Sequence, residues 1–118
     1  MGRAKGDAAE ERALNYLQRQ GLTLVTRNWS CRMGELDLIM REGEELVIVE
    51  VRQRTHASFG SAAESITATK RQRLTRAARL YLQRHPREAQ RPVRFDVVAL
   101  NGDGEPEWIR HAFLPEAP

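Results

Sequence analysis

The sequence predicts a single α/β domain over residues 1–118, with a central mixed β-sheet flanked by helices. Three observations indicate this class. Two stretches repeat apolar residues at the helical period, several short stretches are rich in β-branched residues, and the helical and strand patterns alternate along the chain. Hydrophobic residues make up 41% of the 118 residues, which is enough for one core.

The first predicted helix covers residues 7–20. Its apolar face recurs at a period of about 3.6 and is formed by Ala9, Ala13, Tyr16 and Leu17. Gly21 is positioned to end the helix. Glu10 falls at the edge of the apolar face on a helical wheel, so we expect its carboxylate to be half-buried. A first strand is predicted over residues 22–29.

A β-hairpin is predicted next, with strands over residues 36–40 and 46–51. Gly43 and Glu44 lie at its midpoint, and glycine at the first central position is typical of two-residue turns. This turn pairs Leu38 with Val49, Ile39 with Ile48, Met40 with Val47 and Arg41 with Leu46. Asp37 then faces Glu50, with Cβ atoms about 5 Å apart, where like charges repel unless a cation lies between them. The pair predicts a divalent-metal site, and the alternative is a solvated hairpin face.

The second half of the chain completes the order αβββαββ. Residues 53–63 are polar and contain Gly60, which indicates a loop. A longer helix is predicted over residues 67–84, with Pro86 just beyond its end. Its buried stripe is predicted to contain Leu74, Ala77, Ala78, Tyr81 and Leu82. Two closing strands, over residues 93–100 and 107–113, flank an Asn-Gly-Asp-Gly turn.

Composition and charge narrow the function classes. Nineteen Lys and Arg residues against sixteen Asp and Glu give a net charge of +3, which favours a polyanionic partner. Cys31 is the only cysteine, so the chain has no intrachain disulfide or thiolate zinc cluster, and a reducing cytoplasm is the expected compartment. No run approaches the roughly 20 apolar residues that cross a bilayer, so no membrane segment is expected.

The densest positive region is residues 70–94, with nine Lys and Arg residues and one acidic residue, Glu88. Lys70, Arg73, Arg76 and Arg79 follow at three-residue steps and cover the outer half of the second helix. A surface of this kind can neutralise nucleic-acid phosphates. The alternative interpretation is a solvated helix face.

Seven motifs occur in order along nearly the whole chain. They are Gly6-x-x-Ala9-Glu10-x-x-Ala13-x-x-Tyr16-Leu17, Arg27-Asn28-Trp29, Gly34-Glu35-Leu36-Asp37-Leu38-Ile39, Val49-Glu50-Val51-Arg52-x-Arg54, Phe59-Gly60, Lys70 and Arg94-Phe95-Asp96-Val97-Val98. In these motifs the chain resembles the bacterial YraN family. That family is similar to the archaeal Holliday-junction resolvases, within the restriction-endonuclease-like superfamily marked by the PD-(D/E)xK pattern.

The resemblance implies a restriction-endonuclease-like fold and a Mg²⁺ site. It implies that Asp37 and Glu50 bind the metal, for which Mn²⁺ is an alternative, and that Glu10 assists them. Mg²⁺ suits such a site because it needs few carboxylates and keeps several waters. The implied partner is structured or branched DNA, and a twofold homodimer would suit a four-way junction. We assign DNA contacts to Arg54, Lys70, Arg73, Arg76 and Arg79.

Arg52 departs from the superfamily pattern, because it occupies the position of the usual catalytic lysine. Lysine can lose its proton when buried, whereas the arginine guanidinium stays protonated and cannot act as a general base. Arg52 could still clamp a phosphate oxygen in the transition state. Lys70 could instead reach the site from the second helix.

Three functions therefore remain open from the sequence. The first is a Mg²⁺-dependent nuclease with Glu10, Asp37, Glu50 and Arg52 as its catalytic residues. The second is a DNA-binding module that is weak or inactive as an enzyme because of Arg52. The third is a protein-interaction domain with vestigial carboxylates.

Overall fold

The chain folds into two main helices and five strands in the predicted order αβββαββ. The computed structural model describes residues 4–54, 65–102 and 104–116. The elements are α1 (Ala4–Arg19), β1 (Thr23–Cys31), β2 (Gly34–Glu42), β3 (Glu45–Arg54), α2 (Ala68–Arg84), β4 (Val93–Asn101) and β5 (Glu107–Phe113). A short 3-10 helix, Glu88–Gln90, precedes β4. Neither helix in these ranges is long and apolar enough to cross a membrane.

The five strands form one mixed sheet in the order β1-β2-β3-β4-β5. Strands β3 and β4 pair in parallel, and the other neighbours pair antiparallel. A parallel pair needs a crossover connection, and α2 lies within it. The mixed α/β sheet agrees with the predicted fold class.

The central hairpin has the register that its turn predicted. Leu38 pairs with Val49, Ile39 with Ile48, Met40 with Val47 and Arg41 with Leu46. Gly43 begins the turn with φ at 58°, a conformation that glycine adopts without a Cβ clash. At the other end of the hairpin, Asp37 Oδ2 accepts a hydrogen bond from the Val51 backbone N–H at 2.9 Å. The hairpin therefore brings Asp37 beside the strand that carries Glu50.

The sheet is buried between the two helices, which cover opposite faces. Ile48 belongs to the apolar cluster of α2, with Leu74 and Ala77. Val47 and Val49 belong to the cluster of α1, with Leu17. Strand β3 is thus apolar on both sides, as expected for a central strand with a parallel neighbour.

Several predicted boundaries and burial assignments differ from the structure. The loop predicted over residues 53–63 begins later, because pairing with β4 continues to Arg54 and Asn101. The rest of that loop, with Phe59 and Gly60, lies outside the described residues. Leu82 is only partly buried, and Thr75 is buried instead. Thr75 tolerates burial because its hydroxyl donates to the Arg71 carbonyl at 2.8 Å.

Near the hairpin turn, a buried arginine is surrounded by carboxylates. The Arg94 guanidinium lies 3.0 Å from Asp96, 2.6 Å from Glu42 and 2.5 Å from Glu45. Asp96 also accepts hydrogen bonds from the Trp108 indole at 2.9 Å and the His111 backbone N–H at 3.1 Å. Asp96 is therefore a local hydrogen-bond acceptor. We call Arg94, Asp96, Glu42 and Glu45 the arginine network.

Candidate metal centre

The candidate site lies at the end of β2 and β3 that is remote from the hairpin turn. Asp37 and Glu50 come from these two strands, Glu10 comes from α1, and Lys70 comes from the first turns of α2. The structure thus brings together the three carboxylates that the sequence analysis assigned to catalysis. It also places Lys70 beside them.

The carboxyl groups of Asp37 and Glu50 lie close enough for each to affect the protonation of the other. Burial and the charge of Glu50 raise the pKa of Asp37 from 3.8 to about 7. Burial also raises the pKa of Glu50, and the nearby Lys70 ammonium opposes that rise. The pair therefore holds a proton more tightly than two isolated carboxyl groups would, and a cation can take the place of that proton.

Glu10 and Glu35 complete an acidic cluster around Asp37. One carboxylate oxygen from each of these three residues lies within 4.8 Å of the others. Such a separation allows one ion to contact all three. Together with Glu50 they form a set of four carboxylates, which we call the acidic cluster.

The sequence analysis did not assign Glu35 to the site. A signal for it was present, since residues two apart on a strand point to the same side and Glu35 precedes Asp37 by two. The Ser30 hydroxyl lies 3.3 Å from Glu35 Oε2, within hydrogen-bonding distance.

Glu10 is buried and is oriented by Asn28. The Asn28 side-chain amide donates to Glu10 Oε1 at 2.7 Å. Asn28 has φ at 54°, in the left-handed region, which asparagine tolerates better than most residues. The unusual backbone in β1 therefore positions a carboxylate of α1, a relation that the sequence did not predict.

Glu50 has one oxygen paired and one without a donor. Its Oε2 lies 3.2 Å from Lys70 Nζ. Its Oε1 is buried and accepts no hydrogen bond from any donor among the described residues. A buried carboxylate oxygen of this kind costs free energy unless a proton or a cation reaches it.

Arg52 follows Glu50 by two residues on β3, so its charge lies near that carboxylate. Its positive charge lowers the pKa of Glu50, an effect smaller than those of burial and Lys70. Its Nη2 atom lies 3.5 Å from the Ser65 carbonyl oxygen. Arg52 therefore contributes charge to the site and contacts the segment that leads into α2.

The predicted basic surface is exposed on α2, and one of its arginines also contacts the C-terminal segment. Arg73, Arg76 and Arg79 are all exposed. Arg79 also donates to the Glu116 carbonyl at 3.1 Å. The side chain of Arg54 lies outside the described part of the chain.

The fold and the acidic cluster together define the class: an α/β domain with a candidate divalent-metal centre at one end of its sheet. Residues 9–100 match the family described as "Uncharacterised protein family UPF0102". The chain belongs to this family, which is the YraN family that its motifs resemble.

Relatives with the same description cover nearly the whole chain. A UPF0102 protein of Pseudomonas entomophila (strain L48) is 53% identical over 112 residues, covering 92% of this chain and 91% of the relative. One of Stutzerimonas stutzeri (strain A1501) is 50% identical, covering 93% and 94%. One of Pseudomonas aeruginosa (strain LESB58) is 52% identical, covering 94% and 93%.

Proposed function

We propose that this protein is a Mg²⁺-dependent nuclease that binds structured or branched DNA and hydrolyses its phosphodiester bonds. The observation that carries the proposal is the acidic cluster, with a buried Glu50 oxygen that has no hydrogen-bond donor in the described chain. The ligand atoms are all carboxylate oxygens, which suit hard cations such as Mg²⁺ and Mn²⁺. The residues thus fit the metal that the family resemblance implies.

Asp37 and Glu50 would hold the ion, with Glu10 and Glu35 beside them. A bound Mg²⁺ supplies Lewis-acid chemistry, which polarises the phosphodiester and lowers the pKa of an attacking water. The protein orients the ligands in advance: the Val51 N–H fixes Asp37 and the Asn28 amide fixes Glu10. Such outer contacts hold metal ligands in position.

The exposed arginines of α2 supply the surface for DNA. Their phosphate contacts would position the duplex without reading its sequence. A second copy of the chain related by twofold symmetry would place two such sites on one four-way junction.

A nuclease assay tests the proposal. Single-stranded, duplex, flap and four-way DNA substrates are incubated with the protein and Mg²⁺ or Mn²⁺. We expect cleavage of at least one substrate that EDTA stops and that Asp37→Asn abolishes. Glu11→Gln is the control, because Glu11 is an exposed carboxylate on the same helix as Glu10. Cleavage that persists in EDTA, or in Asp37→Asn, would contradict the proposal.

Replacement of three arginines tests the DNA-binding surface. Arg73→Gln, Arg76→Gln and Arg79→Gln together should weaken binding to all sequences alike. The slope of log affinity against log salt should become shallower by up to about three. Arg19→Gln is the control, since Arg19 is exposed on the helix that covers the opposite face of the sheet. An unchanged DNA affinity and salt slope would show that DNA binds to another surface of the protein.

A second candidate function is a DNA-binding module without effective hydrolysis. Arg52 favours it, because an arginine occupies the lysine position and lies against the Ser65 carbonyl. Arg52→Lys tests this candidate. If a missing neutralisable amine limits hydrolysis, the variant should cleave roughly 10² to 10⁴ times faster than the unmodified protein. If both proteins bind DNA and neither cleaves, the binding module is correct.

A further inference from the structure

We propose that Lys70 of α2 contacts the phosphodiester group at the metal centre and supplies the positive charge for which the superfamily pattern uses a strand lysine. This inference rests on the proposed function. The superfamily pattern places its lysine on the strand, where this chain has Arg52. The inference assigns the substrate contact to Lys70 on the helix.

The contact between Lys70 and Glu50 is the first observation. Lys70 Nζ lies 3.2 Å from Glu50 Oε2, with 40% of the Lys70 side chain exposed and 7% of the Glu50 side chain exposed. An ammonium group has three protons to donate. One of them is directed to Glu50, and the exposed side of the group can donate to a ligand that approaches from solvent.

The start of α2 fixes where Lys70 lies. The Thr67 hydroxyl caps the helix by accepting from the Lys70 backbone N–H at 3.2 Å. Ile66, just before this cap, is buried in the core and its carbonyl accepts from Arg71 at 2.7 Å. The first turn of the helix is therefore anchored on both sides, which holds Lys70 at the acidic cluster.

A small cleft beside Lys70 is the second observation. It has a volume of about 80 Å³ and lies between the turn from β1 to β2 and helix α2. Glu35 lines one wall, and Lys70 and Arg73 line the other. Arg73 follows Lys70 by three residues, so both cations lie on one side of the helix. A phosphodiester anion in this cleft would have two cations on one side and Glu35, one member of the acidic cluster, on the other.

Lys70 suits this role better than Arg52 for two reasons. Its ammonium is a compact charge that fits a small cleft, whereas guanidinium is a planar group. Arg52 also lies against the Ser65 carbonyl, at 3.5 Å. The cleft is lined by Lys70 and Arg73 and does not include Arg52.

The test compares Lys70→Met and Lys70→Arg with the unmodified protein, and uses Arg19→Gln as the control. Three quantities are measured: Mn²⁺ affinity by calorimetry, affinity for a four-way DNA junction with Ca²⁺ or without metal, and the cleavage rate with Mn²⁺. Thermal unfolding of each variant shows whether it is folded.

We expect Lys70→Met to bind Mn²⁺ at least as tightly as the unmodified protein, because a neighbouring positive charge has been removed. Its affinity for the junction should fall about tenfold, the loss of one charged hydrogen bond. Its salt slope should become shallower by about one. Cleavage should fall at least about 100-fold, the typical loss of one donor that stabilises transition-state charge, and Lys70→Arg should recover DNA affinity more fully than cleavage.

Two results would overturn the inference. Unchanged junction affinity and cleavage in Lys70→Met would show that Lys70 does not touch the phosphate. Loss of Mn²⁺ binding in a folded Lys70→Met would make Lys70 a support for the carboxylates and not a substrate contact. A different result would contradict the proposed function, namely that the unmodified protein binds no Mn²⁺. In that case the junction affinity measured without metal still tests whether Lys70 contacts phosphate.

Discussion

The arginine network and the acidic cluster lie at opposite ends of β2 and β3. They differ in whether nearby cations neutralise their carboxylates. In the network, Arg94 lies between Asp96, Glu42 and Glu45, and Arg110 adds a second cation 2.7 Å from Glu42. The hydrogen bond from Arg110 lowers the pKa of Glu42. In the acidic cluster, burial and mutual repulsion raise the pKa of Asp37 to about 7.

The difference separates a structural from a functional use of the same residue types. Carboxylates that the protein's own cations neutralise can stabilise packing and need no ligand. Carboxylates whose pKa values are raised by burial and by one another mark a candidate site for a cation or a proton transfer. The arginine network is therefore expected to stabilise the fold. The acidic cluster is expected to destabilise it when no cation is bound.

The largest effect is expected from breaking the network. Arg94→Met leaves Asp96, Glu42 and Glu45 without their shared cation, so the free energy of unfolding should fall by about 3–5 kcal/mol. Urea denaturation measures it. Arg91→Met is the control, because the Arg91 side chain is 26% exposed, against 3% for Arg94, so the loss of its ion pairs with Glu44 and Glu88 should cost less. Equal losses in both variants would contradict the comparison.

Asp37→Asn should raise the free energy of unfolding, whereas Arg94→Met lowers it. The raised pKa of Asp37 means that the folded state binds a proton that the unfolded state has lost between pH 4 and about 7. Folding stability of the unmodified protein should therefore fall as pH rises through this window. The variant lacks this penalty, so it should be more stable above pH 7, by up to about 4 kcal/mol at 1.4 kcal/mol per pKa unit.

Urea denaturation at pH 4 and pH 8 checks this prediction. The difference between Asp37→Asn and the unmodified protein should be near zero at the lower pH and largest at the higher pH. Glu11→Gln is again the matched control. A difference that does not change with pH would show that repulsion at Asp37 is not what destabilises the fold.

A divalent ion should stabilise the acidic end and leave the network unaffected. Mn²⁺ at about 100 times its dissociation constant should raise the free energy of unfolding by about 2.7 kcal/mol. The gain should increase as pH rises through about 7, because the ion competes with the proton that Asp37 holds below that pH. Thermal unfolding with and without Mn²⁺ measures it. Asp37→Asn should lose the gain, while Arg91→Met should keep it.

The smallest effect concerns the residue that orients Glu10. Asn28→Ala and Asn28→Gly both remove the amide donor, and each should weaken Mn²⁺ binding about tenfold. The alanine variant should also be less stable than the glycine variant by about 1 kcal/mol, because only glycine adopts the positive φ without strain. Calorimetry and urea denaturation separate the two effects. Unaltered Mn²⁺ affinity in both variants would show that Glu10 does not depend on Asn28.

The sequence predicted most of the fold because local patterns decide it. Alternating and helical periods identified seven elements in order, and the glycine turn set the hairpin register from Leu38 to Arg41. The same register brought Asp37 towards Glu50. Strand ends were less accurate, since pairing with β4 carries β3 through polar residues that look like a loop.

Other parts of the site depend on relations that no local pattern contains. Lys70 reaches Glu50 only because the crossover places the start of α2 over that end of the sheet. Asn28 reaches Glu10 because a residue within β1 adopts a left-handed conformation. Glu35 differs, because its spacing from Asp37 was visible in the sequence and its membership could have been predicted.

The parallel pairing of β3 with β4 has a kinetic consequence. The hairpin of β2 and β3 joins residues close in sequence, so Asp37 and Glu50 can meet early in folding. Helix α2 follows the hairpin in sequence and lies in the crossover between β3 and β4, so it joins the hairpin later. The nascent chain would thus present the acidic pair before Lys70 arrives. A cation bound by that pair should accelerate refolding as well as slow unfolding.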